Sequence, residues 1–459
     1  MQRSAFRSSE FPGSPWSSAG RWIDRHPLVT AAILFLFFWG YRSQYYSGDG
    51  DQISRMMEGG VWMVHTELLS QAVLRLGYVV LRAWGWDGMR VMNLVSCLAG
   101  VISIHLLLAY NTRFIRIDPL WVLGLFFSSG LVLLCNGHTE YYTLFLPTLF
   151  YFGLTGWAYL QGRGTIRHAA LAFSLAAWMH LGILFAFPAL LLLPRLKRDS
   201  WSSYRVMGIG LLPLLAVFLV KWFHPIFGIN VHGLSPSSNF IPLFLDPTRS
   251  WSYTLFSPWH FIDWFYGWVV RSWIFWPVVW WGVYLEGWRS LLVPGRLFLL
   301  IFTLSFSIFT FVWHPNLGIH QDWDLFVIEA APCLMLVLTY LPVILSSSFR
   351  RACLAAPVIA ALIISFYWIQ QEAHFDQRGY GRISITIPES DQINITYNGH
   401  HKPVRDVSLR EGIYSAKVIF VETRKVYDFT IHVAAGAPLV IPIQEDASED
   451  YRFHPKYSR

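Results

Sequence analysis

Apolar residues run almost unbroken near 27–46, 88–110, 119–135, 139–160, 205–223, 259–286, 296–313, 324–345 and 352–370. A hydrocarbon core of ~30 Å takes roughly 20 apolar residues in a helix, so each run predicts a membrane crossing. A polar stretch, residues 1–26, precedes the first run, and no small-residue cleavage site follows it. That run therefore reads as a membrane helix and not as a signal peptide. Basic residues cluster between the runs: Arg3, Arg7, Arg21 and Arg25, then Arg113 and Arg116, Arg163 and Arg167, Arg195 with Lys197 and Arg198, Arg289 and Arg296, and Arg350 and Arg351. Lys and Arg accumulate in cytoplasmic loops, which sets a cytoplasmic N-terminus and, by alternation, an extracytoplasmic tail beyond 371. One segment breaks the alternation. Residues 169–194 have basic clusters at both ends, and their midpoint reads WMHLG, with His180 and Gly182 interrupting the apolar run. We expect two short half-helices there that enter and return on the cytoplasmic side, with His180 near the apex, covered by protein or lining a water-filled cavity. The expected fold over 27–370 is an all-α polytopic membrane domain with about 10–11 transmembrane helices, this broken hairpin included.

After a linker, 371–380, the period changes. Ile383, Ile385 and Ile387 alternate with polar residues, as do Tyr427, Phe429, Ile431 and Val433, and then Leu439, Ile441 and Ile443. Period two is the strand signal, and Asn398-Gly399 is a hairpin turn signal. A small all-β sandwich is expected over 381–445, followed by a polar tail, 446–459. The stretch from GRISITIP to GAPLVIPI, with LREGIYSAKVIF at its centre, resembles the PEGA domain, an extracytoplasmic β module.

Composition sharpens this picture. Hydrophobic residues make up 54% of the 459 and charged ones 14%, against about a quarter charged in a soluble domain. The 23 Trp, 35 Phe and 21 Tyr suit the headgroup belts of a bilayer. A net charge of +7 raises the question of nucleic acid, but the basic residues sit in short clusters between apolar runs, so no nucleic-acid partner is expected. Cys97, Cys135, Cys333 and Cys353 lie within or beside apolar runs without metal-site spacing, and read as buried small apolar residues.

Candidate chemistry gathers in the extracytoplasmic loops. The first outer loop, 47–87, opens YYSGDGDQI, with Asp49 and Asp51 just beyond the first membrane helix. Such a pair can hold a metal, act as a base toward a hydroxyl, or simply solvate a loop. An amphipathic stretch with Glu58 and then HTELLSQAVLRLGYVVLRAWG follow, both suited to lie along the interface. HPNLGIHQDWDLF groups His314, His320, Asp322 and Asp324, and CNGHTEYY carries His138 and Glu140. Imidazole and carboxylate together suit Zn²⁺ or Mn²⁺, while an aromatic-rich helix cap with Asp324 near its start is the plainer account. Arg271 stands within an apolar run, where an ionisable residue is costly and points to function or to an internal partner such as Glu329. His180, alone on its apolar segment, reads as structural.

The cytoplasmic N-terminus, the acidic pair beyond the first helix, the interfacial helix pair and His65 ahead of its second member together resemble the GT-C fold. So do CNGHTEYYTLFLP, FSPWHFIDW and HPNLGIHQDWDLF. The likeness covers roughly 25–370; members often read HP where this chain has His65-Thr66. It implies a membrane glycosyltransferase, a hexosyl- or pentosyltransferase that inverts the anomeric centre, taking sugar from a polyprenyl-phosphate donor. The acceptor would be an extracytoplasmic glycan, lipid or protein, and the place a multi-pass position in the plasma (inner) membrane among its lipids. On that reading Asp51 and Asp49 activate the acceptor, and Arg271 holds the donor phosphate. His65, His138, Glu140, His314, His320, Asp322 and Asp324 bind substrate or a divalent metal (Mn, Mg or Zn). A lipid or sugar transporter or flippase, or a scaffold presenting the β domain, are the competing readings. Ionisable groups strung along helices at the midplane would favour transport.

Overall fold

The computed structural model of the chain describes residues 17–43, 50–60, 67–223, 241, 243, most of 254–267, 273–313 and 323–373, and the strands between 380 and 442. Among these residues four helices are long and apolar enough to cross a bilayer: Gly88–Ile115, Pro294–Val312, Asp324–Ile344 and Ser348–Gln370. Two bent pairs raise that to six, Ser18–Arg25 with Pro27–Gly40 at 100° and Trp201–Gly210 with Leu212–Val220 at 41°. The chain is a multi-pass membrane protein.

The helices that matter here are α1 (Ser18–Arg25), α2 (Pro27–Gly40), α3 (Gly50–Gly59), α4 (Leu68–Leu81), α5 (Gly88–Tyr110), α6 (Pro119–Phe127), α7 (Leu131–Cys135), α8 (Tyr142–Leu160), α9 (Ile166–Met179), α10 (Phe187–Lys197), α11 (Trp201–Gly210), α12 (Leu212–Phe223), α13 (Phe275–Glu286), α14 (Pro294–Val312), α15 (Trp323–Val327), α16 (Ala330–Ile344) and α17 (Ser348–Ala373). Their starts follow local chemistry. Asp87 caps α5 by accepting from the Arg90 N–H at 2.8 Å, and Thr165 caps α9 through the His168 N–H at 3.3 Å. Proline opens α2, α6 and α14, where its missing N–H costs nothing. Several apolar runs are not single helices. The run 119–135 divides into α6 and α7 around Ser128, Ser129 and Gly130, and 205–223 bends between α11 and α12. Within 259–286 the helix with described ends is α13.

α8 packs between α5 and α9, while α16 lies against α13, α14 and α8. The Asp324–Ile344 window is 89% buried inside the bundle and that of Ser348–Gln370 only 22%, so α16 is the centre and α17 faces lipid. This explains the cysteines: Cys97, Cys135 and Cys333 are buried, but Cys353 is exposed because it lies on α17. Its reading as a buried residue is corrected accordingly.

α9 ends at Met179, His180 takes an extended backbone, and a 3-10 turn over Leu181–Ala186 leads into α10. The His180 ring lies 5.2 Å from those of Tyr142 and Phe145, at the start of α8. At the far end Tyr159, near the C-terminus of α8, donates to Asp199 just after α10. Both ends of the segment therefore meet one end of α8, and its apex reaches the other. The two legs run the length of α8; they are not half-length. The Tyr159 hydrogen bond, foremost among several contacts, holds the Asp199 carboxyl below the usual carboxylate range.

Beyond the helices, β1 (Tyr380–Thr386) pairs antiparallel with β4 (Asp406–Arg410) and parallel with β7 (Leu439–Pro442). A second sheet has the order β3-β2-β5-β6, built from β3 (His400–Pro403), β2 (Gln392–Tyr397), β5 (Gly412–Ile419) and β6 (Val426–Val433). Tyr397 pairs with His400, which leaves Asn398-Gly399 as the two residues between β2 and β3.

Candidate functional site

The connection between α7 and α8 reads Asn136-Gly137-His138-Thr139-Glu140-Tyr141, and it is buried throughout. Gly137 has φ +71, and a Cβ there would stand 2.6 Å from Arg42 Cβ, so the loop can lie against the end of α2 only with glycine. The loop is tied there by the Ser43 N–H, which donates to the Asn136 carbonyl at 2.8 Å.

From this loop His138 reaches across the bundle. Its Nε2 lies 2.7 Å from Asp324 Oδ2, and the Leu325 N–H donates to Asp324 Oδ1 at 2.8 Å. The Asp324 carboxylate thus has one oxygen on backbone and the other on imidazole. The plainer helix-start account covers the first oxygen and leaves the second for His138. Relative exposures are 5% for His138, 8% for Glu140 and 1% for Asp324, so two carboxylates and an imidazole are buried together. Carboxylates buried in this way require compensating partners or a cation. One donor atom from each of the three lies within 4.8 Å of the others. Three nitrogen and oxygen donors suit Zn²⁺ or Mn²⁺, and three protein ligands leave a coordination position for water or substrate.

The first outer loop meets this cluster. Gly50 opens α3, between Asp49 and Asp51 in sequence, and a Cβ at Gly50 would stand 2.6 Å from the Thr139 carbonyl oxygen. Glycine is therefore required where α3 starts against the residue between His138 and Glu140. α3 and α4 are held in turn. Glu58 accepts from the Gly88 N–H at 2.8 Å, satisfying one of the backbone donors at the start of α5. Arg75 donates to the Met57 carbonyl at 3.1 Å, at the end of α3.

Of the residues singled out in the sequence, His138, Glu140 and Asp324 come together. Asp51 lies in the first turn of α3. Asp49, His65, Arg271, His314, His320 and Asp322 lie outside the described residues. Glu329, a partner considered for Arg271, accepts from Ser307 Oγ at 2.7 Å and Thr310 Oγ1 at 3.2 Å.

No family model matches the chain, and no curated protein matches it. Solved structures do. ArnT from Cupriavidus metallidurans in the apo state is similar at 15% identity, covering 78% of this chain and 78% of its own, with a TM-score of 0.49. The same protein bound to undecaprenyl phosphate is similar at 15% identity over 78% of this chain and 74% of its own, with a TM-score of 0.47.

One pair escaped the sequence reading. Glu67, buried at the start of α4, has Oε1 3.2 Å from His180 Nε2. The Gly182 N–H donates to His180 Nδ1 at 2.9 Å, which puts the imidazole proton on Nε2, toward Glu67. Both ring nitrogens are engaged, so His180 serves as a clamp between α4 and the hairpin apex and not as a metal ligand. Ser70 Oγ adds a second tie, donating to the Met179 carbonyl at 2.9 Å. The sequence signal for Glu67 was slight: one acidic residue directly after His65-Thr66.

Proposed function

We propose that this chain is an integral membrane glycosyltransferase of the GT-C type, moving a sugar from a polyprenyl-phosphate-linked donor to an extracytoplasmic acceptor. The observation that carries the reading is the contact between Gly50 and Thr139. It brings Gly50, which stands between Asp49 and Asp51 in sequence, against Thr139, which stands between His138 and Glu140. The carrier phosphate of such a donor sits at headgroup depth, and the end of α2 and the starts of α5 and α8 meet at this site. Transfer needs a base for the acceptor hydroxyl and positive charge for the departing phosphate. Asp51 is the favoured base, with Asp49 beside it in sequence. His138, Glu140 and Asp324 would hold a cation that, together with Arg271, would supply the charge. Direct displacement at the anomeric carbon inverts it.

The test is transfer of labelled sugar by purified protein in nanodiscs, with polyprenyl-phosphate hexoses and pentoses offered in turn. Transfer from at least one donor is expected, and none from any of them sinks the reading. In the same assay Arg271→Lys keeps the charge but loses the bidentate fork, and donor use weakens; unchanged donor affinity in both Arg271→Lys and Arg271→Ala removes that role. Asp324→Asn is expected to abolish any response to added Mn²⁺ or Zn²⁺. A full response in that variant removes the metal.

The orientation belongs to the same proposal: N-terminus in the cytoplasm, and the strands of 381–445 outside as a PEGA-like module. A reporter active only in the cytoplasm, fused after Arg459, is expected to stay silent. A strong signal reverses the topology.

A further inference from the structure

Beside the cluster lie polar groups that the proposed chemistry leaves unused. Asn136 is 3% exposed, and neither its Oδ1 nor its Nδ2 has a hydrogen-bond partner among the described residues. Asn93, on the second turn of α5, is 2% exposed and donates through Nδ2 to the Ser43 carbonyl at 3.0 Å, yet its Oδ1 has no such partner. The two residues belong to one structure, because the N–H of that same Ser43 binds the Asn136 carbonyl. Asn136 precedes His138 by two residues. Arg42, the neighbour of Ser43, stands 4.5 Å over the Trp39 ring, which stacks on Trp86 at 5.8 Å.

Buried amide atoms are costly unless matched, and what matches them is chemically restricted. Two free acceptors, Oδ1 of Asn93 and of Asn136, call for O–H or N–H donors. One free donor, Asn136 Nδ2, calls for an acceptor. Exchanging N and O in Asn136 leaves this inventory unchanged, and the bond to Ser43 fixes the sense of Asn93. A phosphate offers only acceptors and fails. A hydroxyl group offers both, and adjacent ring hydroxyls of a sugar offer both twice.

We propose that Asn93 and Asn136 form a hydroxyl-binding subsite for the sugar of the lipid-linked donor, next to the cluster where that sugar is transferred. This rests on the glycosyltransferase reading. The subsite selects the sugar and not the lipid, since the carrier phosphate gains nothing from it.

The experiment compares affinities of the full-length protein in nanodiscs for bare polyprenyl phosphate and for the sugar-linked donor that the wild type uses. Asn136→Leu removes only groups without a described protein partner, so its melting temperature should not fall below that of the wild type. Its affinity for the sugar-linked donor is expected to drop about ten- to thirtyfold, the worth of two lost hydrogen bonds, with bare-lipid affinity unchanged. Asn136→Gln keeps both amide groups and should recover part of the loss. Unchanged donor affinity in Asn136→Leu overturns the proposal and leaves the amide bound to a buried water only. An equal loss for both lipids also overturns it. Failure of the wild type to bind either lipid is a different result and counts against the glycosyltransferase reading itself.

Discussion

Replacing Asp49 and Asp51 together with asparagine is expected to lower sugar transfer by about 10²–10⁴-fold, the usual contribution of a general base. Asparagine keeps the size and loses the charge, so the effect separates chemistry from packing, and expression should stay normal. The expectation rests on position. Gly50 cannot carry a side chain without striking Thr139, so the backbone between the two aspartates is fixed against the loop of His138 and Glu140. The helix that begins at Gly50 is anchored at its other end, where Glu58 holds the start of α5 and Arg75 holds the last carbonyls of α3. A loop that served only solvation would need none of these ties. Asp51, in the first helical turn, is expected to account for most of the loss when the two are replaced singly. Near wild-type transfer by the double variant would falsify the catalytic role and leave a solvated loop.

The largest effect on stability is expected at the opposite end of the bundle. Arg296, buried near the start of α14, pairs with Glu286 at the end of α13 through both terminal nitrogens. Its Nε donates to Thr339 Oγ1 at 3.2 Å and its Nη2 to the Thr339 carbonyl at 2.9 Å, while its guanidinium stands 4.0 Å over the Tyr340 ring. One side chain therefore joins α13 and α14 to the central α16. Arg296→Met strips Glu286 of its cation and Thr339 of its donors, and breaking a buried pair from one side costs about 3–5 kcal/mol. The Glu286 side chain is 28% exposed, so solvent recovers part of that, and about 3 kcal/mol is the expected loss. Arg296→Lys should fall between, since a point charge cannot make four directed bonds. Replacing Glu286 as well, by methionine, should restore most of the loss, because no unpaired charge then remains. Thermal or SDS midpoints in detergent read all three. An Arg296→Met midpoint equal to that of the wild type rules the clamp out.

How much of this was legible in the chain follows from which interactions are local. Apolar runs and basic clusters are properties of neighbouring residues, and they announced a multi-pass helical protein. The break at His180 was legible for the same reason: a histidine and a glycine interrupt one run. The internal breaks at 128–130 and 211 were not, because those residues are apolar or small and only packing decides whether the helix continues. Among the described residues, straight helices long enough to cross are consequently fewer than the runs.

For the site, the sequence determined which residue types were available and that they lie near helix ends. Tertiary structure decided which of them meet. Asp324 stands 186 residues from His138, and no local pattern distinguishes it from Asp322 two positions earlier. The Glu67–His180 clamp and the Ser43 bridge between Asn93 and Asn136 join residues with no shared sequence signal. Inside a bilayer a polar atom must find its partner within the protein, and folding brings that partner from wherever in the chain it lies.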